Sequence, residues 1–518
     1  VVSDDVVAAT RPANPVRTPL ATLVAWLGAD AHGSLEDITV TGISLSSQRI
    51  RPGDLYAALP GARAHGVDFA GAAVASGAVA LLTDELGAQR AGVDVPILVV
   101  DNPRAVLGRL AARVYGEPAA AMRMIGVTGT QGKTTTTRLL EGGLTQSGDT
   151  AAVIGTVGTR VAGADVKTTL TTPEAPDLHG LFATMRERGV TTCAMEVSSH
   201  ALVMGRVDGV VFDVAVFLNL GRDHLDFHHD IADYFDAKAS LFTPQRARLG
   251  LVNIDDEHGR LLLDRATIAL RTFSTEGADA DWRVSDIELT AEGSAFVITT
   301  PAGDRISAGC PLPGDFNVSN TLAAVAAAGE AGLDPALVAA GIADGGGVPG
   351  RLERVDAGQD FVVVVDYAHK PDAVAAALRT LRPLTEGRVI VVLGAGGDRD
   401  PGKRPIMAEI AARLADVFVI TDDNPRTEDP ATIRAAMLAG ITDPVAEVIE
   451  LGDRRAAIRE AVRMARPGDI VLVAGKGHET GQEIDGVVHP FDDRDVVREE
   501  LDVPSDRSLR SRFRGDSG

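Results

Sequence analysis

The chain is short of cysteine, of aromatic residues, of positive charge and of long apolar runs. Its two cysteines, Cys193 and Cys310, allow no disulfide framework and no cysteine-rich metal site. Both read as small apolar core residues in a reducing compartment, so the expected location is the cytoplasm. No run of about 18 apolar residues occurs, and no membrane span is expected. The start, VVSDDVVAATRPANP, lacks the basic end and apolar stretch of a secretory signal. Fifty Lys and Arg stand against 72 Asp and Glu, a formal net charge of -22. That balance excludes broad nucleic-acid binding, which runs on basic patches, but not a nucleotide held by a local cluster of Lys and Arg. Aromatics make up 4% beside abundant Ala and Gly, as in a GC-rich coding sequence.

What is present suits a globular protein. The 518 residues are 45% hydrophobic and 24% charged, too many for one core and enough for about three domains. The first segment carries an Ala-rich helix and the strand-like VALLTD and PILVV. The second opens with the strand-like RMIGV, then a glycine turn and the helical TTTTRLLEGGL. VTTCAMEV and FDVAVFLN read as buried strands, being short and β-branched. DADWRVSDIELTAEGSAFVITT alternates and is expected to be antiparallel, and residues 317–332 form an Ala-rich helix. After the break GGGVPGR, the strands FVVVVDYAH, RVIVVLG, DVFVITDD and DIVLVAG alternate with helical stretches, the pattern of a parallel sheet covered by helices. The fold class is α/β. The expected domains are residues 1–116, 117–349 and 350–505, with a charged tail, 506–518, that reads as disordered.

GVTGTQGKTTTT is the strongest single signal, because it follows a strand and opens a helix. Gly126, Gly129 and Gly132 are expected to let backbone N–H groups crowd around an anion, with the helix N-terminus adding partial positive charge. Lys133 is placed to reach the β and γ phosphates of ATP or GTP, and Thr134 to offer its hydroxyl to Mg2+. The match to G-x-x-x-x-G-K-[ST] is imperfect, since Val127 stands five before Gly132. The loop alone names no reaction.

Glu196 ends one buried strand, and NLGRDHLDFHHD after another packs Asp223, His224, Asp226, His228 and His229 together. Strand ends beside a phosphate loop are where α/β enzymes place their chemistry, and a carboxylate with an imidazole can hold a bridging metal ion. A zinc hydrolase is the rival, but EVSSH lacks the H-E-x-x-H spacing. Asp223 and Asp226 also read as plain helix caps. His224 is the first candidate ligand, and His228 and His229 read as solvated. By itself Lys238, in YFDAKASLF, reads as a lysine whose head snorkels to solvent.

TGTQGKTT, TTPE, EVSSHAL, NLGRDHLDFH, YFDAKASLF, GDFNVSN, PGRLERV, DYAHKPDA, GGDRDPGKRP, DDNPR and GKGHE follow in an order that resembles the Mur ligase family, from about Thr41 to Asp492. The resemblance implies an N-terminal domain for a UDP moiety, a central P-loop ATPase domain on a mostly parallel sheet, and a C-terminal Rossmann-like domain that brings an amino acid. By motif position, Ser47 resembles a uridine contact, and Thr171, Thr172, Ser198 and Arg206 resemble contacts to UDP-MurNAc-L-Ala-D-Glu. Gly129, Thr130, Gln131, Gly132, Lys133, Thr134 and Thr135 match the ATP phosphate loop, with Asn317, Arg351 and Asp366 around the nucleotide. Thr134, Glu196 and His224 resemble Mg2+ ligands. Lys238 matches the family lysine carbamylated by CO2, an anion that helps hold a second Mg2+. Lys133, Lys238, Glu196 and His224 are therefore the catalytic candidates. Arg399, Asp423, Asn424, Pro425, Arg426, Gly475 and Glu479 match the set that binds meso-diaminopimelate. Two departures stand out: Met204 where a Gln is frequent, and SLSSQRI around Ser47 where an Asp-Ser-Arg run is common.

The implied reaction is ATP-dependent addition of meso-diaminopimelate to the D-glutamyl γ-carboxylate of UDP-MurNAc-L-Ala-D-Glu, through an acyl phosphate, by a cytoplasmic monomer. Diaminopimelate carries a second α-amino acid head whose carboxylate lysine lacks. Arg426 can pair that carboxylate bidentately and Glu479 can accept from the ammonium. A site built for both charges rejects lysine. His369, in DYAHKP, is a candidate base for the attacking amine. The alternatives are the L-lysine-adding version of the ligase, a folylpolyglutamate synthase, and a P-loop ATPase or switch protein without ligase activity.

Overall fold

The computed structural model describes residues 10–502 apart from Ala62 and Thr169, so the tail expected at 506–518 and the first nine residues lie outside the described residues. Three α/β layers organise the chain. The first is a five-stranded sheet in the order Asp30–His32, Ile97–Val99, Ala80–Thr83, Asp54–Ala57, Gly42–Ser44. Its last four strands are parallel and its first is antiparallel. Leu55, Leu82 and Leu98 pack one face, and Tyr56 and Leu81 the other. Covering on both faces is why VALLTD and PILVV read as continuous apolar runs rather than alternating ones.

The second sheet has eleven strands. At its centre Arg123–Thr128 lies between Thr192–Glu196 and Phe212–Phe217, parallel to both. Ala151–Ile154 and Ala247–Asn253 continue the parallel order outward on the two sides. Three adjacent carboxyl ends therefore open on one edge, where parallel sheets receive ligands. Trp282–Leu289 joins the sheet parallel to Ala269–Ser274. The expected antiparallel alternation begins after it, at a tight turn in which Thr290 and Gly293 exchange backbone hydrogen bonds at 2.8 and 3.4 Å. The helix expected over 317–332 spans Asp315–Glu330.

The third sheet runs Glu353–Arg354, Val362–Asp366, Ile470–Ala474, Val389–Leu393, Val417–Ile420, Glu447–Glu450. All but its first pairing are parallel. Its strands are those expected from FVVVVDYAH, RVIVVLG, DVFVITDD and DIVLVAG. By compactness the chain divides in two. One unit comprises residues to 285 with 298–307 and 319–342, and the other comprises 286–297, 308–318 and 343 onward. The first sheet and the parallel strands of the second up to Ser274 share a unit, in which the helices Pro103–Val114 and Ala175–Glu187 pack against each other. No helix among the described residues is long and apolar enough to cross a membrane.

Candidate active site

The strand Arg123–Thr128 ends where Gly129 leaves the sheet. Gly132 sits at φ +86°, where an L side chain is strained and a Cβ would strike the Asn320 amide oxygen. Lys133 then begins the helix Lys133–Gln146, with Thr134 and Thr135 buried in its first turn. The N–H groups of Thr130 and Gln131 converge on Asn219 Oδ1 at 3.1 and 2.9 Å. The Asn219 amide oxygen thus braces the loop, which leads into the N-terminus of a helix, the end that favours an anion. Lys133 Nζ donates to the carbonyls of Gly129 and Thr130 at 2.7 and 3.0 Å, so its charge already lies along the loop. Gly126 corrects the sequence reading. It lies within the strand, paired to both neighbours, and a Cβ there would come within 2.9 Å of the Phe212 ring. Its smallness serves sheet packing, not the anion.

Glu196, 1% exposed, ends the neighbouring strand. Its carboxylate accepts from the Thr134 hydroxyl at 2.9 Å, the Thr156 N–H at 2.7 Å and the Thr156 hydroxyl at 3.1 Å. Such donors offset the cost of burying the charge. A hydroxyl beside a carboxylate is an all-oxygen donor set that suits Mg2+, whose remaining ligands are phosphate oxygens and water. Among the described residues no three His, Cys, Asp or Glu side chains converge as a ready metal cage. Thr171 faces Thr156, hydroxyl to hydroxyl, at 3.0 Å. Thr172 is 1% exposed and donates to the Glu196 carbonyl at 2.8 Å, so its hydroxyl braces the strand end and is not an open substrate contact as expected. Ser198 caps the helix Ser199–Val203. Arg206 pairs with Glu174 at 2.9 Å, and Arg104 takes the other oxygen of Glu174 at 2.7 Å.

Lys238 does not snorkel. It stands on the helix Ile231–Ala239, 1% exposed, and donates to the Gly129 carbonyl at 2.9 Å, the same oxygen that Lys133 takes. Burial first, and then the charge of Lys133, hold its pKa well below the ordinary lysine value. The Tyr234 ring lies 4.6 Å from its nitrogen. His224 adopts φ +55° and lies edge-on to His200 at 4.9 Å and to Tyr234 at 6.0 Å. His228, expected to be solvated, is buried against Phe227 and Tyr234 with Nδ1 3.2 Å from Asp233. His229 is exposed as expected.

A cleft in the same unit is lined by Thr10, Ser44, Ser46, Arg49, Leu170 and Glu174. Ser47 begins the short turn Ser47–Arg49 at its rim. Arg49 forks onto Asp177 at 2.7 and 2.8 Å, a pairing that the run SSQR did not reveal.

In the second unit the strand ends of the third sheet gather the amino-acid candidates. Asp423 and Asn424 are buried, and Asn424 Nδ2 donates to Glu479 Oε2 at 2.9 Å. Gly475, at φ +116°, brings the chain so close to Asp423 that a Cβ would sit 2.9 Å from its carboxylate. Pro425 lies in the same turn, with the carbonyl before it, that of Asn424, accepting from the Gly397 N–H at 2.9 Å. Arg426 adopts φ +54°, donates to the Gly397 carbonyl at 2.6 Å and lies 3.3 Å from Glu483. Arg399 is exposed, and no hydrogen bond or ion pair among the described residues ties it to this group. Asp366 accepts from the N–H groups of Leu352 and Ala368, both at 2.8 Å, while burial pushes its carboxyl up. The Arg351 guanidinium lies 5.1 Å from the Tyr367 ring centre. Asn317 is buried with its amide on the Pro313 carbonyl at 2.8 Å. Asn320, on the same helix, is the residue that meets the phosphate loop, through Gly132 and through Thr136 at 3.3 Å. Asn219, Asn320 and Lys476 were missed by sequence reasoning, although all three lie inside motifs already singled out.

Three family profiles match: the Mur ligase family catalytic domain over residues 39–115, the Mur ligase middle domain over 127–328, and the Mur ligase glutamate ligase domain over 350–477. A Streptomyces avermitilis protein named UDP-N-acetylmuramoyl-L-alanyl-D-glutamate--2,6-diaminopimelate ligase is 57% identical over 95% of this chain and 98% of its own length. A Corynebacterium glutamicum protein of the same name is 50% identical over 92% of this chain and 94% of its own. A solved structure of a ligase of that name superposes with a TM-score of 0.71 and 34% identity, covering 94% of this chain and 99% of that one. Phosphate loop, buried carboxylate and matched domains agree: the chain belongs to the Mur ligase family, ATP-dependent enzymes that form amide bonds.

Proposed function

We propose that the chain adds meso-diaminopimelate to the D-glutamyl γ-carboxylate of UDP-MurNAc-L-Ala-D-Glu, using ATP, as a step of peptidoglycan precursor synthesis. The observation that carries this reading is the turn Asp423–Arg426. It sets the Arg426 guanidinium two residues from Asn424, which is bonded to the Glu479 carboxylate. A zwitterionic head needs both charges, whereas the lone ammonium of L-lysine leaves the arginine without an anion. The names of the full-length relatives support it.

The loop N–H groups and Lys133 orient the γ-phosphate and draw off its charge. Thr134, Glu196 and His224 would hold one Mg2+ and a carbamate on Lys238 would help hold a second, and the bound ions would supply further neutralisation of the phosphate oxygens. The γ-carboxylate oxygen bonds to phosphorus as the bond to ADP breaks, giving an acyl phosphate. The amine nitrogen of diaminopimelate then bonds to the acyl carbon, inorganic phosphate leaves and the amine gives up a proton. His369 is suited to take it. Burial lowers its pKa, and Nδ1 lies 2.7 Å from the Tyr367 carbonyl, so Nδ1 carries the hydrogen and Nε2 is left as acceptor.

Lys238 fits the carbamate because a neutral amine is the nucleophile CO2 requires, and burial with the charge of Lys133 shifts the group toward that form. Its nitrogen bonds to carbon, one C=O pair becomes the carboxylate charge and a proton leaves. The cleft at Ser46, Arg49 and Glu174 suits the UDP-sugar substrate, with Ser47, Ser198 and Arg206 nearby in sequence or contact. We assign functional divisions at 1–116, 117–349 and 350–505. We also propose a monomer, and a cytoplasmic location, since ATP is its substrate and both cysteines are free.

The test is phosphate release by the purified protein with ATP, Mg2+ and UDP-MurNAc-L-Ala-D-Glu, comparing meso-diaminopimelate with L-lysine. Release with diaminopimelate, with the mass of the tripeptide product, is expected. Release with lysine alone would overturn the specificity, and release indifferent to both would overturn the reaction.

A further inference from the structure

Lys476, in GKGHE, is fully buried beside the amino-acid candidates. It follows the strand Ile470–Ala474 and turns its ammonium inward, onto Asn424 Oδ1 at 3.0 Å and Glu479 Oε2 at 3.2 Å, with Asp423 at 3.8 Å. Asn424 Oδ1 also accepts the Glu483 N–H at 3.0 Å. Two donors on one oxygen fix which way the amide points, so Nδ2 must face Glu479, as it does at 2.9 Å. Oε2 of Glu479 thus takes two hydrogen bonds from within the protein, which fix how the carboxylate is turned, and the Tyr367 side chain lies beside it. Within this trio one ammonium stands against two carboxylates, Asp423 and Glu479, and the Lys403 ammonium acts on Asp423 from outside it. The other buried charges beside them, Arg454 and Asp493, cancel in a fork of 2.7 and 2.6 Å.

We propose that Lys476 is a positioning residue for recognition of the distal ammonium of the amino-acid substrate. It aims Glu479 through Asn424, and it supplies the counter-charge that Asp423 and Glu479 share. Without it the two carboxylates lose their shared counter-charge and the Asn424 amide is free to turn. This rests on the proposed diaminopimelate reading and adds to it the residue that makes Glu479 selective.

The experiment compares meso-diaminopimelate with 2-aminopimelate, identical except that it lacks the distal ammonium. The ratio of the two kcat/KM values is taken within one enzyme preparation, so the fraction folded cancels. Wild-type turnover of diaminopimelate is measured first, and its absence would refute the functional reading on which the proposal stands. Given that turnover, Lys476→Met is expected to lower the ratio at least about tenfold. The change should fall in KM for diaminopimelate, with KM for ATP and for the UDP precursor held. Should that variant not fold, the isosteric Asn424→Asp removes the donor to Glu479 and adds a negative charge, and the same fall is expected. A ratio unchanged in whichever variant folds, or one in which every KM rises together, would overturn the proposal while leaving the ligase reading intact.

Discussion

Two lysines share one carbonyl in this site, and their surroundings set them different tasks. Lys133 lies on the phosphate loop, at the start of a helix, and acts as a charge. Lys238 is sealed, with its pKa held well below the lysine range by burial and by Lys133. Burial favours the neutral amine, which is the nucleophile, whereas an exposed lysine at pH 7 is an ammonium. After equilibration with 13C-bicarbonate, a carbamate carbon resonance is expected, absent from Lys238→Ala, together with a fall in kcat of about a hundredfold or more. A resonance that persists in the variant would place the adduct elsewhere. At Arg426 the geometry of the head matters more than its charge. Arg426→Lys keeps the cation but loses the planar fork, so KM for diaminopimelate should rise about a hundredfold, with KM for ATP unchanged. Equal KM values in the two enzymes would mean that the guanidinium serves only the Gly397 carbonyl.

The helix Ala175–Glu187 carries a pH sensitivity unrelated to catalysis. His179, fully buried on it, faces the Asp208 carbonyl at 3.0 Å and packs edge-on to Phe182. Burial, outweighing that hydrogen bond, lowers its pKa to about 4 from 6.5. Between those values the unfolded chain binds the proton and the folded chain does not, so stability rises with pH across the interval and falls on acidification. The loss from pH 7 to pH 4 approaches about 3 kcal/mol. His179→Phe should flatten that part of the acid limb in urea unfolding, and an unaltered limb would show that other groups govern it. This histidine did not stand out in the sequence, and His228 was read there as solvated, because burial of a polar side chain is decided by elements distant along the chain. The phosphate loop, by contrast, was legible: strand, glycine turn, lysine and helix are all local. Gly126 was misread because Phe212, which it must clear, belongs to another strand. Asn219, Asn320 and Lys476 act across separations that no motif spacing encodes.

For the whole molecule, the strand–helix rhythm made the three parallel layers readable, since strands buried on both faces must be apolar throughout. The two compact units were not readable, because they depend on which helices pack together rather than on where breaks fall. They bear different candidate sites, the phosphate loop in the first and the Asp423–Glu479 group in the second. A ligand stabilises only the part of the chain that binds it, by about 2.7 kcal/mol when present at a hundred times its Kd. Calorimetry at pH 7, where the net charge of -22 keeps unfolded chains apart, should therefore show separable responses. A non-hydrolysable ATP analogue with Mg2+ should raise one transition and meso-diaminopimelate another. Lys133→Met should silence the first response alone, and Arg426→Ala the second alone. If one transition answered equally to both ligands, or if Lys133→Met abolished the response to diaminopimelate, the two recognition tasks would not be divided between the units. The reverse result, two responses each silenced by its own variant, would tie each chemical task to the sheet whose strand ends carry it.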